Sequence, residues 1–291
     1  MTRDMSGFPE YHLDSHDPAR LHFALHPIEA YIKEHKDHVF NAHRNSFFQL
    51  IWFKKAGLHY VDYETVEHPA NAIFFINTHQ VHNYCEFAPN EGFVFHFNDF
   101  FIHRQEDNSD NWLRYRLFNE IGTPFVVPNS EELNAITQLT HCLLVELSQG
   151  EYNYEQQIYY LFRTILLKVE RLKHVQYPEF PATDMHLKLV IQFKELVEQY
   201  VHKNRSIDEF ASELGTSSKS LTGYTRKYLQ QTPAVTIQKR KILEAKRLLS
   251  HKELSIQEVA YRLGFEQPTY FTKYFKKDTG MTPKDFVRLI S

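Results

Sequence analysis

The chain has 291 residues, 42% hydrophobic and 24% charged, which suits a globular protein of two domains, three at most. Nine glycines and twelve prolines are too few for a collagen-like or disordered chain, and no apolar run approaches the ~18 residues of a membrane span. Cys85 and Cys142 stand far apart, so neither a disulfide framework nor a cysteine-rich zinc fold is expected. Met1–Pro9 shows no signal-peptide pattern, and the expected location is cytoplasmic.

The net charge of −3 conceals a division. Residues 184–291 carry 19 Lys+Arg against 12 Asp+Glu, residues 1–183 carry 14 against 24, and 15 of the 18 histidines precede residue 184. A basic rear on an acidic front suggests a nucleic-acid module joined to something else; an unevenly solvated surface would give the same numbers.

In chain order, β-structure comes first. Ser46–Phe53, Leu58–Tyr63, Ala72–Ile76 and Gly92–Phe97 are short aromatic and β-branched runs separated by turn material, which favours a sandwich or small barrel. Helical periodicity follows. One helix is expected from an N-cap at Ser130 to Leu147, closed by Gly150. A second runs from about Asn153 to His174, where Ile158, Phe162, Ile165, Val169 and Leu172 form one apolar seam. That seam can pack on its own barrel or on a second chain. Residues 175–185, with Pro178 and Pro181, read as a linker between domains at 1–174 and 186–291.

The rear domain contains a repeat. Ser206–Gly215 resembles Ser255–Gly264 at an offset of 49, and each copy leads to a second helix ending at a Thr-Pro, Thr232-Pro233 and Thr282-Pro283, offset by 50. Each copy opens Ser-Ile-x-Glu, a capping box, and reaches a glycine suited to the tight corner of a helix–turn–helix. A connecting helix over about Pro233–Ser250 would be on the order of 27 Å long, enough to set two reading helices roughly one DNA turn apart.

Ala245, Leu248, Leu249, Ser255, Ile256, Val259, Ala260, Gly264, Phe265, Phe271, Phe275, Lys276, Gly280, Thr282, Pro283 and Phe286 together resemble the tail pattern of the AraC/XylS family of bacterial transcription regulators. The resemblance covers about 186–291. It implies an α+β chain in which a cupin-like β-barrel and two helices, for sensing and dimerisation, precede an all-α double helix–turn–helix domain. It also implies double-stranded promoter DNA, RNA polymerase, a small-molecule effector and a second copy of the chain as partners, with activation favoured over repression.

Matching the family motif puts Lys219, Thr222 and Gly223 of a first reading helix (Ser217–Leu229) at base-facing positions, with Thr269, Tyr270 and Lys273 of a second (Gln267–Asp278). These side chains, apart from Gly223, can bond base edges or touch a thymine methyl. Arg226, Lys227, Lys276 and Lys277, one turn further on, suit phosphates. Leu221, Phe271 and Phe275 read as core. The first unit departs from the pattern: Gly223 replaces a long polar residue, Thr225 an aromatic one and Gln230 a glycine, and either Tyr224 or Tyr228 would have to fill the core. Pro268 is tolerable at a helix's first position.

The front half offers histidines near the strands: His38, His43, His59, His79, His82 and His96. A catalytic metal needs about three ligands around an open position; His43-Arg-Asn has no second histidine, Gln49 stands near where an acid would be expected, and no metal or other cofactor is expected. An effector pocket is expected at His43, Trp52, Tyr60 and His82. No nucleophile–base set or phosphate loop is visible, so the chain is not read as an enzyme. The alternatives are a metal-dependent cupin enzyme with an appended helical domain, or an architectural DNA binder whose front half senses nothing.

Overall fold

The computed structural model describes every residue except 1, 4–8, 12, 14–20, 63, 79, 103–116, 119–121, 177–183, 250–253 and 291. The chain forms two compact units, divided between residues 182 and 183. Most of the segment expected as a linker lies outside the described residues.

The front unit holds eleven described strands: β1 (Thr2–Arg3), which lies where the extreme N-terminus is shared between the two units, β2 (Pro9–Tyr11), β3 (Phe23–Pro27), β4 (Arg44–Asn45), β5 (Phe48–Phe53), β6 (Gly57–Val61), β7 (Glu64–His68), β8 (Ala72–Ile76), β9 (His82–Tyr84), β10 (Gly92–Phe97) and β11 (Phe125–Val126). Helices α1 (Ile28–Glu34) and α2 (Lys36–Val39) follow β3, and α3 (Asp99–Ile102) follows β10. The strands form a five-stranded sheet in the order β11-β8-β5-β10-β3 and two three-stranded sheets, β7-β6-β9 and β1-β2-β4.

Each of the four aromatic or β-branched runs holds a strand, β5, β6, β8 and β10. Strands β3, β7 and β9 were not expected: β7, Glu-Thr-Val-Glu-His, is polar and mostly exposed, and β9 has three residues. The expected cupin-like barrel is not observed. Among the described residues no sheet closes on itself, and β4 and β9 approach through a single bridge, His43 to His82.

Strand β5 shows why the front unit has two cores. All six of its residues are buried. Phe48, Leu50 and Trp52 face one way, with Phe95 and Phe97 of β10, and pack with the two long helices α4 (Ser130–Gln149) and α5 (Tyr154–Gln176). Ile51 and Phe53 face the other way, with Phe74, Ile76 and Val94, and pack with Val61, Tyr84 and the first helix. Period-two alternation thus serves two apolar faces rather than an inside and an outside.

Helix α4 begins one residue earlier in its cap than expected. Its N-cap is Asn129, in a capping box with Glu132, and it closes at Gly150. The α5 seam is wholly internal: Ile158, Phe162, Ile165 and Val169 are 0% exposed and Leu172 is 9% exposed, all packed in the same core as the sheet. Burial of each contributes roughly 1.5–3 kcal/mol. The seam therefore packs within its own unit.

The rear unit is helical: α6 (Met185–Gln199), α7 (Ile207–Glu213), α8 (Ser218–Leu229), α9 (Pro233–Leu249), α10 (Ile256–Arg262), α11 (Pro268–Thr279) and α12 (Pro283–Ile290). Helices α6–α8 form one three-helix unit, and α9–α11 repeat it with starts 48, 49 and 50 residues on. Both capping boxes are present, Ser206 with Glu209 and Ser255 with Glu258. Pro268 occupies the start of α11, where its missing N–H costs nothing.

Candidate nucleic-acid interface

The corner between α7 and α8 and that between α10 and α11 are built from the same bonds. Gly215 N donates to Ser212 O at 3.1 Å and Thr216 N to Ala211 O at 2.9 Å; in the second unit Gly264 N donates to Tyr261 O at 3.0 Å and Phe265 N to Ala260 O at 3.0 Å. Each corner launches a twelve-residue helix. One face of that helix is core: Leu221, Thr225 and Tyr228 in α8, Phe271 and Phe275 in α11.

On the opposite faces, Lys219, Gly223, Thr269, Tyr270 and Lys273 are exposed, Tyr270 at 67%. Thr222 is half-buried, and its hydroxyl donates its one proton to the Ser218 carbonyl at 2.7 Å, which leaves it an acceptor and a methyl to offer a base. Arg226, Lys276 and Lys277 are exposed in the last turns. Lys227 is engaged already: its ammonium donates to Tyr228 Oη at 2.6 Å and pairs with Asp184 at 3.3 Å. The Tyr228 hydroxyl also donates to Asp184, and these bonds hold the Asp184 carboxyl down to about 2. A phosphate contact from Lys227 would have to share its ammonium, which is exposed, with that cluster.

The choice between Tyr224 and Tyr228 is decided. Tyr228 is 2% exposed and fills the core, while Tyr224 stacks on His186 with ring centres 4.2 Å apart. The junction around Lys241 is a feature that sequence reasoning missed. Its position on the long helix reads as one more surface lysine, yet it is 6% exposed.

In the front unit the four residues expected to line one pocket are divided among three places. Trp52 faces the helices with its indole nitrogen lacking a partner. Tyr60 lies on the outer side of β6, beside a shallow groove of about 250 Å³ lined also by Ala42, Thr65, Val81 and Asn83. His43 and His82 are together inside, their rings 4.5 Å apart. Around them the fold assembles a polar cluster. His82 Nδ1 lies 3.3 Å from His59 Nε2, and Asn45 Nδ2 bonds His82 Nε2 at 2.9 Å.

His43, His59, His82 and His96 are at most 4% exposed. Burial disfavours their charged forms, holding His43 down to about 4, His59 to about 3, and His82 and His96 well below the ordinary value, so all four are neutral near pH 7. Several interior polar atoms lack a partner: both amide atoms of Gln49, His59 Nδ1, His96 Nε2 and the Tyr84 hydroxyl. Gln49 is the residue noted where a cupin would hold an acid. Among the described residues no group of three or more His, Cys, Asp or Glu could hold a metal; His79 lies outside them.

Among the described residues, no helix is long and apolar enough to cross a membrane. A family model described as a helix-turn-helix domain matches residues 210–288. The transcriptional activator RhaR of Enterobacter sp. (strain 638) is 22% identical over 247 residues, 84% of this chain and 86% of that protein. Histidine kinase P4 of Formosa agariphila is 27% identical over 120 residues; the match covers 41% of this chain and spans 9% of the kinase's length. Among solved structures, ToxT of Vibrio cholerae with a bound unsaturated fatty acid aligns over 91% of both chains at 17% identity, with a TM-score of 0.43. Two helix–turn–helix units on one connecting helix, the family match across both, and an alignment with RhaR along most of each chain make this chain similar to AraC-type transcription regulators.

Proposed function

We propose that the chain regulates transcription by binding promoter DNA through α8 and α11, under the control of a small molecule held by the front unit. The observation that carries the DNA reading is the duplicated corner: the same two bonds, 49 residues apart, present two helices with exposed polar and basic side chains. RhaR, the relative aligned along most of the chain, is an activator, which favours activation and a contact to RNA polymerase at the promoter, in the cytoplasm. The effector reading rests on the interior of the front unit. A native interior pairs its polar groups, because each one left without a partner costs about 1–3 kcal/mol. Gln49, His59, His96 and Tyr84 together aim neutral donors and acceptors into one interior, a setting for a small polar guest.

The full-length chain should bind a double-stranded promoter fragment from its own genome, with affinity falling as salt rises through counterion release. No binding at low salt by the folded chain rejects the reading. For the effector, a metabolite panel is scored by melting temperature against wild type and Gln49→Leu. A compound that stabilises wild type but not the variant supports the interior site. If no compound stabilises the chain, the third alternative, an architectural binder without a sensor, stands. A homodimer is part of the same proposal; with the α5 seam internal, it has to use another surface, and sedimentation of the full chain tests it.

A further inference from the structure

The two helix–turn–helix units meet at a small polar junction. Lys241, on α9, donates from its ammonium to Asn204 Oδ1 at 2.6 Å and to the Leu263 carbonyl at 3.1 Å, and lies 5.3 Å from the centre of the Phe265 ring. Asn204 donates in turn to the Gly264 carbonyl at 2.6 Å. Beside it, His202 Nδ1 bonds the Arg262 carbonyl at 3.2 Å. His202 and Asn204 belong to the segment between α6 and α7 in the first unit, whereas Leu263, Gly264 and Phe265 form the corner of the second.

A buried ammonium is costly unless its three donors find acceptors. Here an amide oxygen, a carbonyl at the negative end of α10 and a ring face supply them. Gly264 adds a steric argument. Its φ is +80°, and a Cβ there would lie 2.9 Å from the His202 carbonyl oxygen. The backbone of the first unit thus approaches the corner of the second as closely as a glycine permits.

The repeat provides an internal control. The equivalent corner glycine of the first unit, Gly215, has nothing within 4 Å of its own Cβ position. The positions 49 and 50 residues earlier on α6 are the half-buried Gln192 and the buried Ile191; neither is a cation. A lysine is therefore not what the three-helix core calls for at this position. On the preceding residue, Arg240 pairs with Glu198 of α6 and with Glu244, which ties α9 to the first unit as well.

We propose that Lys241, Asn204 and Gly264 are positioning residues that hold the two units as one rigid reader, so that the chain accepts its two half-sites at a single spacing. The inference rests on the DNA-binding reading above. Inserting one base pair between half-sites moves the second by roughly 3.4 Å and turns it by about 34°. A reader joined by the α9 helix alone could bend to follow; a reader locked at Lys241 cannot.

The test uses the full-length chain and a bipartite sequence that wild type selects from a random double-stranded DNA library. Affinity is then measured on that sequence and with one base pair inserted or removed between its halves. Wild type should lose at least ~30-fold on either change, about 2 kcal/mol. Lys241→Met should bind the parent site ~10-fold more weakly, yet its spacing penalty should fall to about threefold or less. Lys241→Arg, which keeps the donors, should retain most of the penalty. A folded Lys241→Met with the wild-type spacing penalty overturns the proposal, as does a wild type indifferent to spacing. If Lys241→Met does not fold, Asn204→Ala takes the same measurement: a reduced spacing penalty supports the lock, and an unchanged one overturns it. A folded wild type that selects no DNA rejects the DNA-binding reading itself, a result distinct from either.

Discussion

The two helix–turn–helix units reach one backbone with two different cores. Fifty residues apart, Thr225 stands against Phe275, Tyr228 against Asp278, Gln230 against Gly280 and Gly223 against Lys273. In the second unit Phe275 is 0% exposed and sits between Phe271 and Phe286, with ring centres 5.9 and 5.7 Å away. In the first unit Thr225 is equally buried and turns its hydroxyl back to the Thr222 carbonyl at 3.2 Å. The missing aromatic volume arrives one helical turn later, as Tyr228, whose hydroxyl is tied to Asp184 at the start of α6. Caps and corner glycines set the backbone; the core needs only enough apolar volume on the right face, and accepts it three residues along.

The largest expected effect breaks this comparison directly. Phe275→Ala should cost ~3–5 kcal/mol in urea unfolding, because it empties an aromatic cluster. Thr225→Ala should cost about 1 kcal/mol, and Tyr228→Ala should resemble Phe275→Ala. A Thr225→Ala loss as large as that of Phe275→Ala would show that the core has not moved along the helix.

A wider contrast sets the front unit, with its buried neutral histidines, against the rear unit, whose described histidines are exposed. In an unfolded chain histidines take up protons near pH 6.5; in the fold, burial holds His43 near 4. Between those values the unfolded state binds more protons, so acid favours it. Stability of the front unit should be full above pH ~6.5 and decline toward pH ~4, by ~3 kcal/mol for His43 alone. Urea midpoints of the full chain at pH 7 and pH 5, followed through the fluorescence of its two tryptophans, Trp52 and Trp112, check this; no decline would mean that the cluster admits protons freely.

Base contact should also differ between the repeats. Lys273→Ala should cost about 1–3 kcal/mol of affinity and relax preference at one base position. At the matching position Gly223 has no side chain to lose, and Gly223→Ala should instead stabilise α8 by ~1 kcal/mol, since its φ is ordinary and nothing lies within 4 Å of a new Cβ. The selected base preferences of the two variants, measured against wild type, test both expectations. The smallest effect belongs to the ends of the helices. Gln230 holds a left-handed φ of 56°, as Gly280 does at 78°. Gln230→Gly should therefore raise stability by up to ~1 kcal/mol, and Gly280→Gln should lower it by a similar amount. Equal and opposite shifts in melting temperature are the signature; a loss at Gln230→Gly would mean that its side-chain bond to the Lys227 carbonyl outweighs the strain.

Local chemistry made most of the rear unit readable. Ser-Ile-x-Glu caps, corner glycines and Thr-Pro ends act within a few residues, so α7, α8, α10 and α11 came out within one residue of their observed starts. The strands rich in aromatic and β-branched residues were equally plain. Strand β7 was missed because its residues are polar, and β9 because three residues carry no period. The candidate interface was legible at Lys219, Thr269, Tyr270 and Lys273, which need only a helix and an exposed face. Lys227 was not, because its partner Asp184 lies 43 residues away. The expected effector set failed for a related reason: alternation puts Tyr60 and His59 on opposite sides of β6, and only the packing of the sheets says which side is inside.

The sequence by itself determined that there are two helix–turn–helix units, where each begins and ends, and that a β-rich, histidine-rich unit precedes them. Those outcomes depend on caps, turns and periodicity, whose energies act over one or two turns of chain. Tertiary structure alone decided that the α5 seam faces inward, that no sheet closes among the described residues, and that His43, His59 and His82 meet while Trp52 and Tyr60 stand elsewhere. It alone decided that Lys241 is buried between two units rather than solvated on one. Each of these turns on which distant surfaces exclude water from one another, and a chain's local pattern does not specify its distant partners.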